Sequence, residues 1–296
     1  MTMLPRHVVD GRYFVEAPLE ACVPVVCDSP HSGIVFPADF ATSAPLEAIY
    51  TSWDAHVDEL WAEAPRFGAV LLGALFPRAY IDPNRAIHDI DPDLLAQLWP
   101  HDAQPGECSQ RGVGLIRRYA APGVPMYDRR LNVAEVERRL HDYYQPYRQA
   151  LSDALEQAWQ RNGMVWHLNC HSMRSRGGNL NRDSGQARPD VAISDNHGST
   201  ADPAFTEWVV SRFEAMGYRV GADALHQGGD LIRSYGDPPR QRHSVQIAIN
   251  RALYMDETTC EKHEGFDVVR ENIGQFLREL CDFVGQRLSA DERPSQ

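Results

Sequence analysis

Two histidines stand in settings that suit metal ligands. His31 lies in Cys27-Asp28-Ser29-Pro30-His31-Ser32-Gly33, where proline and glycine fix a tight loop, and His171 lies in Leu168-Asn169-Cys170-His171-Ser172-Met173, at the mouth of an apolar run. Neutral imidazole is the commonest metal ligand, and catalytic zinc takes three protein ligands and keeps one position open. Each histidine taken alone fits a turn or core-edge hydrogen-bonding role equally well. A third ligand is needed, and Asp54 borders the apolar stripe that follows it. Thr51-x-x-Asp54 also fits a capping box, so spacing leaves Asp54 between a helix cap and a ligand.

A second group of residues could hold an anion. In Asp82-Pro83-Asn84-Arg85, arginine offers a planar fork that grips a carboxylate through two bonds, with asparagine able to fix the same group from the side; a surface turn would use the same residues. Arg233 follows the paired glycines Gly228-Gly229, which lack the G-x-G-x-x-G arrangement of a dinucleotide site. Nucleophilic chemistry is the rival route. The chain has no G-x-S-x-G elbow, and Cys170 points away from His171 in any extended segment.

The elements that must position these residues follow from periodicity. Apolar runs predict strands at 23–27, 69–72, 164–169 and 191–193, and 244–249 alternates with Val245, Ile247 and Ile249 on one face. Trp53, Val57, Leu60, Trp61 and Ala64 fall on one helical face, with His56 pointing elsewhere on it, towards solvent. Helix is expected over 132–161 with a break at Pro146, from the Asp202 cap and Pro203 to about 216, and over 267–288. Strands alternating with helices imply an α/β fold with a mostly parallel, mixed sheet covered on both faces. Ligands in such folds collect at the carboxyl ends of the strands. His31 and His171 each lie just past a predicted strand, which is the first reason to pair them.

The 296 residues suffice for a single α/β hydrolase domain over 1–296, and 43% hydrophobic content is ordinary for one. A formal net charge of -12 argues against nucleic acid or an anionic membrane as partner, while clustered arginines still allow a small anionic substrate. None of the six cysteines forms a CxxC pair, no signal-peptide pattern opens the chain, and no apolar run is long enough to span a bilayer. Reduced thiols and a cytoplasmic location are therefore expected. Nothing in the sequence sets the oligomeric state.

Taken in order, Ser29-Pro30-His31-Ser32-Gly33, Trp53-Asp54, Asp82-Pro83-Asn84-Arg85, Pro125 to Leu131 (PMYDRRL), Cys170-His171-Ser172-Met173, Gly228-Gly229 with Tyr235-Gly236, and Leu253-Tyr254-Met255-Asp256 resemble the N-formylglutamate amidohydrolase family over most of the chain. The resemblance implies a zinc carboxypeptidase-like fold and hydrolysis of N-formyl-L-glutamate to formate and L-glutamate in histidine degradation. It makes His31, Asp54 and His171 the zinc ligands, with Asn84 and Arg85 anchoring a small anionic N-acyl amino acid; Arg233 is a further candidate anchor beside them. It also implies a glutamate base in a Gln-x-Glu pattern. This chain reads Gln246-Ile247-Ala248, and Ala248 cannot move a proton. Glu257, shortly downstream, is then the candidate acid. Two other outcomes stay open: a zinc deacylase or carboxypeptidase acting on another N-acyl amino acid, and a non-catalytic ligand-binding homologue.

Overall fold

Side-chain alternation along three central strands decides what this fold can hold. The protein is described here by a computed structural model over residues 6–18, 22–179, 183–222 and 228–291. Its strands are β1 (Arg6–Val9), β2 (Tyr13–Glu16), β3 (Val25–Ser29), β4 (Val70–Ala74), β5 (Tyr119–Ala121), β6 (Val124–Pro125), β7 (Val165–Met173), β8 (Val191–Ser194), β9 (Val220–Ala222) and β10 (Arg242–Asn250). Eight of them form one sheet in the order β1-β2-β4-β3-β7-β10-β8-β9, and β5 pairs with β6 apart from it. The middle four, β4, β3, β7 and β10, are mutually parallel. β2 and β8 join this block antiparallel. The sheet is thus mixed and largely parallel, with helices on both faces, as the alternation of elements predicts.

Each face buries its own core. Trp166, Leu168 and Cys170 of β7 and Val245, Ile247 and Ile249 of β10 pack with Phe205, Val209 and Phe213 of the helix Pro203–Ala215 and Ile273, Phe276 and Leu280 of the helix Gly265–Asp291. On the other face Val26, Leu72 and Val165 meet Tyr147, Leu151 and Leu155 of the helix Gln145–Asn162. All nine residues of β7 are buried. Because strand side chains alternate, its odd positions share that second face, which changes character along the strand: apolar Val165 gives way to His167, Asn169 and His171. Register aligns Asp28 with Asn169 and Gln246, and then His171 with Ala248.

The polar positions in this row are bonded to one another. Asp28, fully buried, accepts from Tyr147 Oη at 2.7 Å, His167 Nε2 at 2.8 Å and Asn169 Nδ2 at 2.7 Å. Burial alone would raise its pKa; the bonds and charge of His167, with those of Asn169 and Tyr147, outweigh it and bring the carboxyl below the usual range. His167 also pairs with Ser244 Oγ at 2.7 Å. Serine, histidine and aspartate in line have the residue types of a nucleophilic triad, but each is 1% exposed or less. No substrate reaches them, so their work is to fix the strand end above.

Boundaries differ from the periodic reading at proline and glycine. The helical face at 53–64 is buried as expected, but it is made of a short helix, Val57–Leu60, and a 3-10 turn, Ala64–Phe67, opened by Pro65. The break at Pro146 is a π turn, Leu140–Tyr144, between the helices Val133–Arg139 and Gln145–Asn162; the wider turn absorbs the missing N–H without ending the helix. Asp202 caps the helix Pro203–Ala215 by accepting from Ala204 N at 2.9 Å. The hairpin β1–β2, turning at Gly11 with φ +66°, was not legible, since β1 is mostly exposed and carries no apolar run. The six cysteines are free, and no helix among the described residues is long and apolar enough to cross a membrane.

Removing the Tyr147 hydroxyl leaves one oxygen of a buried carboxylate without its donor. Tyr147→Phe is expected to lower unfolding free energy by about 1–3 kcal/mol, read by urea denaturation; an unchanged midpoint would show that Asp28 does not depend on it.

Candidate metal centre

β3 ends at Ser29 and the chain turns immediately into His31. Gly33 makes that turn possible: a Cβ there would fall 2.2 Å from the Leu75 carbonyl carbon, so the loop can lie flat against the chain leaving β4, where Val35 N donates to Leu75 O. His171 projects from the end of β7, beside His31, with ring centroids 4.7 Å apart. Asp54 arrives from the connection that follows β3, its backbone N–H donating to the His31 carbonyl at 3.1 Å. His31, Asp54 and His171 are all buried and bring one potential ligand atom each to within 4.8 Å of the others. Both histidines therefore lie at the carboxyl ends of parallel strands, as strand-end placement predicts.

The orientation of the rings identifies which atoms face inward. His31 Nε2 lies 2.7 Å from Asp82 Oδ1, which can only accept when ionised, so Nε2 carries the proton and Nδ1 is left with a lone pair. That Nδ1 is buried, has no hydrogen-bond partner among the described residues, and lies 3.4 Å from Asp54 Oδ2. A lone pair facing a carboxylate oxygen out of water is unfavourable unless a cation lies between them. His171 repeats the arrangement. Its Nδ1 is 2.9 Å from the same Asp54 Oδ2, and its Nε2 is 2.7 Å from Asn169 Oδ1, whose amide is oriented by its bond to Asp28. With its proton given to Asn169, His171 also turns a lone pair on the shared oxygen. The donor set thus fits a metal held by two Nδ1 atoms and one carboxylate oxygen, each backed by an outer hydrogen bond.

Charge supports the same arrangement. Burial would raise the Asp54 carboxyl, but the two imidazoles that crowd it, His171 and His31, outweigh burial and hold it well below the usual carboxylate range. Arg251 fastens its other oxygen at 2.9 Å and reaches Ser172 Oγ and the Thr51 carbonyl. Burial, partly offset by Asp54, lowers His171 and so favours the neutral, ligating imidazole. Asp82 is likewise held far below its ordinary value: Arg78, His31 and Arg85 together overcome its complete burial.

Other residues singled out by sequence fall around this group. Asp54 caps no helix: Thr51 closes the helix Leu46–Tyr50 and the next begins after His56, which removes the capping role its spacing allowed. His56 is not solvated either, being tied to Glu59 at 3.0 Å and the Cys260 carbonyl at 2.9 Å. Asn84 adjoins the site, with Nδ2 3.0 Å from His171 Nε2 and Oδ1 accepting from Leu231 N. Arg85 donates to the Asn84 and Val113 carbonyls and lies 3.8 Å from Asp82. Arg233 is exposed and donates to the Gly228 carbonyl at 3.0 Å. Ala248 lies beside His171 among Met173 and Ala192, with no carboxylate of its own to offer. Glu257 accepts from Ser175 N and Oγ at 2.6 and 2.9 Å, on the loop beyond β7 and outside the His-Asp-His group. Cys170 is buried on the opposite face with its thiol pushed well up by burial and by Cys27, which leaves no nucleophile there. Arg251, Arg78 and Asp28 went unread, since nothing in their local sequence marks them; only the register brings them in.

Known proteins resemble this chain over most of its length. The sequence model of the family described as N-formylglutamate amidohydrolase matches residues 23–255. N-formylglutamate deformylase of Pseudomonas aeruginosa is 28% identical over 243 residues, covering 79% of this chain and 83% of that protein. The Pseudomonas putida enzyme of the same name is 27% identical over 241 residues, covering 80% and 83%. Among solved structures, N-formylglutamate amidohydrolase from Ralstonia eutropha JMP134 superposes with a TM-score of 0.88 at 39% identity, over 93% of this chain and 99% of its own.

If the outer bonds orient the ligands, their loss weakens metal binding without removing a ligand. Asp82→Ala and Asn169→Ala are each expected to reduce metal affinity about 10–100-fold, and His31→Ala and His171→Ala to abolish stoichiometric loading, by chelator competition and elemental analysis. Full loading of either histidine variant would rule the site out.

Proposed function

This chain belongs to the N-formylglutamate amidohydrolase family, and on that premise we propose that it cleaves the formamide bond of N-formyl-L-glutamate at a zinc centre held by His31, Asp54 and His171. The products are formate and L-glutamate, and the setting is histidine degradation in the cytoplasm, carried by one hydrolase domain. The observation that carries the metal reading is the convergence of both Nδ1 atoms on one carboxylate oxygen. When bound, zinc supplies a Lewis acid and brings the pKa of water to about 7.

The chain's own residues do the remaining work. Asp82 and Asn169 fix the imidazoles, and Arg251 fixes Asp54, so the ligands need no rearrangement on loading. Arg85 grips a substrate carboxylate, Asn84 holds the Arg85 loop against His171, and Arg233 guards the outer edge. Binding energy from the anionic part of the substrate then positions the small formyl group. Hydrolysis adds a water oxygen to the formyl carbon, breaks the C–N bond and delivers a proton to the departing amine. Asp54 and Asp82 are occupied by the histidines, so the proton falls to Glu257, which must release Ser175 to deliver it.

Purified protein should release formate from N-formylglutamate, lose that activity to a chelator and regain it with zinc. Bound zinc and bound N-formylglutamate without formate would instead identify the ligand-binding homologue that Ala248 favours, and faster turnover of another N-acyl amino acid would identify a deacylase of different specificity. Glu257→Gln is expected to lower kcat about 10²–10⁴-fold at unchanged zinc content; an unaltered kcat would reduce Glu257 to a clamp on Ser175.

A further inference from the structure

Arg117 is a buried cation beside this site that nothing among the described residues neutralises directly. It lies in a stretch docked on the Asp82 loop, where Asp82 N donates to the Leu115 carbonyl at 2.9 Å and Arg85 Nε to the Val113 carbonyl at 3.3 Å. The residue is 7% exposed, and its Nε is buried without a hydrogen-bond partner among the described residues. Its strongest charged neighbours are Arg78, Asp82, Arg85 and Asp54, the last a member of the His-Asp-His group and Asp82 the partner of His31. Both carboxylates among them are already occupied. Asp82 Oδ1 accepts from His31 and from Asn84 N, and its Oδ2 takes two bonds from Arg78. Asp54 is held by the histidines and Arg251. Arg118, the next residue, has Asp91 at 3.2 Å.

Such a residue is costly to keep. Burial first, and then the nearness of Arg78 and Arg85, push its guanidinium down to about 9. An apolar side chain of similar volume would suit a buried position better, unless an anion enters from outside and completes the pairing. Guanidinium binds carboxylate through two parallel bonds, and removal from water strengthens them. We propose that Arg117 is a carboxylate-binding residue of the substrate pocket, receiving one of the two carboxylates of a dicarboxylic N-acyl amino acid and leaving the other to Arg85. The substrate is that of the proposed function, on which this inference rests.

Calorimetry with glutarate and L-glutamate on the zinc-loaded full chain tests binding apart from turnover. Arg117→Met should weaken both about 10–100-fold, with unchanged zinc content and a melting temperature no lower than that of the unsubstituted protein, and Arg117→Lys should recover part of the loss. In kinetics with N-formylglutamate, N-formylglutamine and N-formylglutamate α-amide, the kcat/KM loss in Arg117→Met should vanish for whichever compound lacks the carboxylate that Arg117 holds. Equal losses on all three, glutarate binding unaffected by Arg117→Met, or a lowered melting temperature would overturn the assignment in favour of a structural role. If the unsubstituted protein binds glutarate through Arg117 but releases no formate, the proposed activity falls and this inference stands. If it binds no dicarboxylate, the inference falls whatever the turnover.

Discussion

Both histidines present Nδ1 to the same oxygen of Asp54 because their Nε2 atoms are engaged elsewhere, and the rest of the site follows from that constraint. Asp82 occupies one Nε2 and Asn169 the other. An imidazole free to rotate would exchange its two nitrogens and blur the site; one with a proton committed on the outer side has a single inward atom. Asp54 is fixed from behind in turn by Arg251, which arrives from just past β10. Three separate parts of the chain, bearing Asp82, Asn169 and Arg251, thus determine the direction of these three inward atoms.

The outer bonds depend on a sheet face that is polar where interiors are usually apolar. Along β7 the odd residues pass from Val165 through His167 and Asn169 to His171, while Trp166, Leu168 and Cys170 between them stay in the hydrophobic core. Burying those polar groups is tolerable because each finds a partner, with Asp28 as the common acceptor. The orientation of Asn169, and through it of His171, is therefore set by a carboxylate one strand away. Rigid strands, not loops, supply His171 and its support, which suits a site whose tolerance for misplacement is small.

Much of this was legible in sequence. Apolar runs located β3, β4, β7, β8 and β10 to within a few residues, because strands buried on both faces are dense in aliphatic side chains. His31 and His171 were findable from their place after those runs. The role of Asp54 was not, since Thr51-x-x-Asp54 satisfies a local capping rule that the folded chain does not use; a contact with His171 117 residues away outweighs a local preference worth about 1 kcal/mol. Arg251, Asp28 and Arg117 were invisible for the same reason, as their partners are distant in sequence or, for Arg117, lie outside the chain. Ala248 is the reverse case: sequence marked it, and the register explains why it matters by setting it directly beside His171.

The central claim concerns atoms, and anomalous diffraction at the zinc edge from crystals of zinc-loaded protein tests it most directly. The account predicts density bounded by Nδ1 of His31, Nδ1 of His171 and Oδ2 of Asp54, with both Nε2 atoms still bonded to Asp82 and Asn169. Zinc located elsewhere, or coordinated through either Nε2, would contradict it.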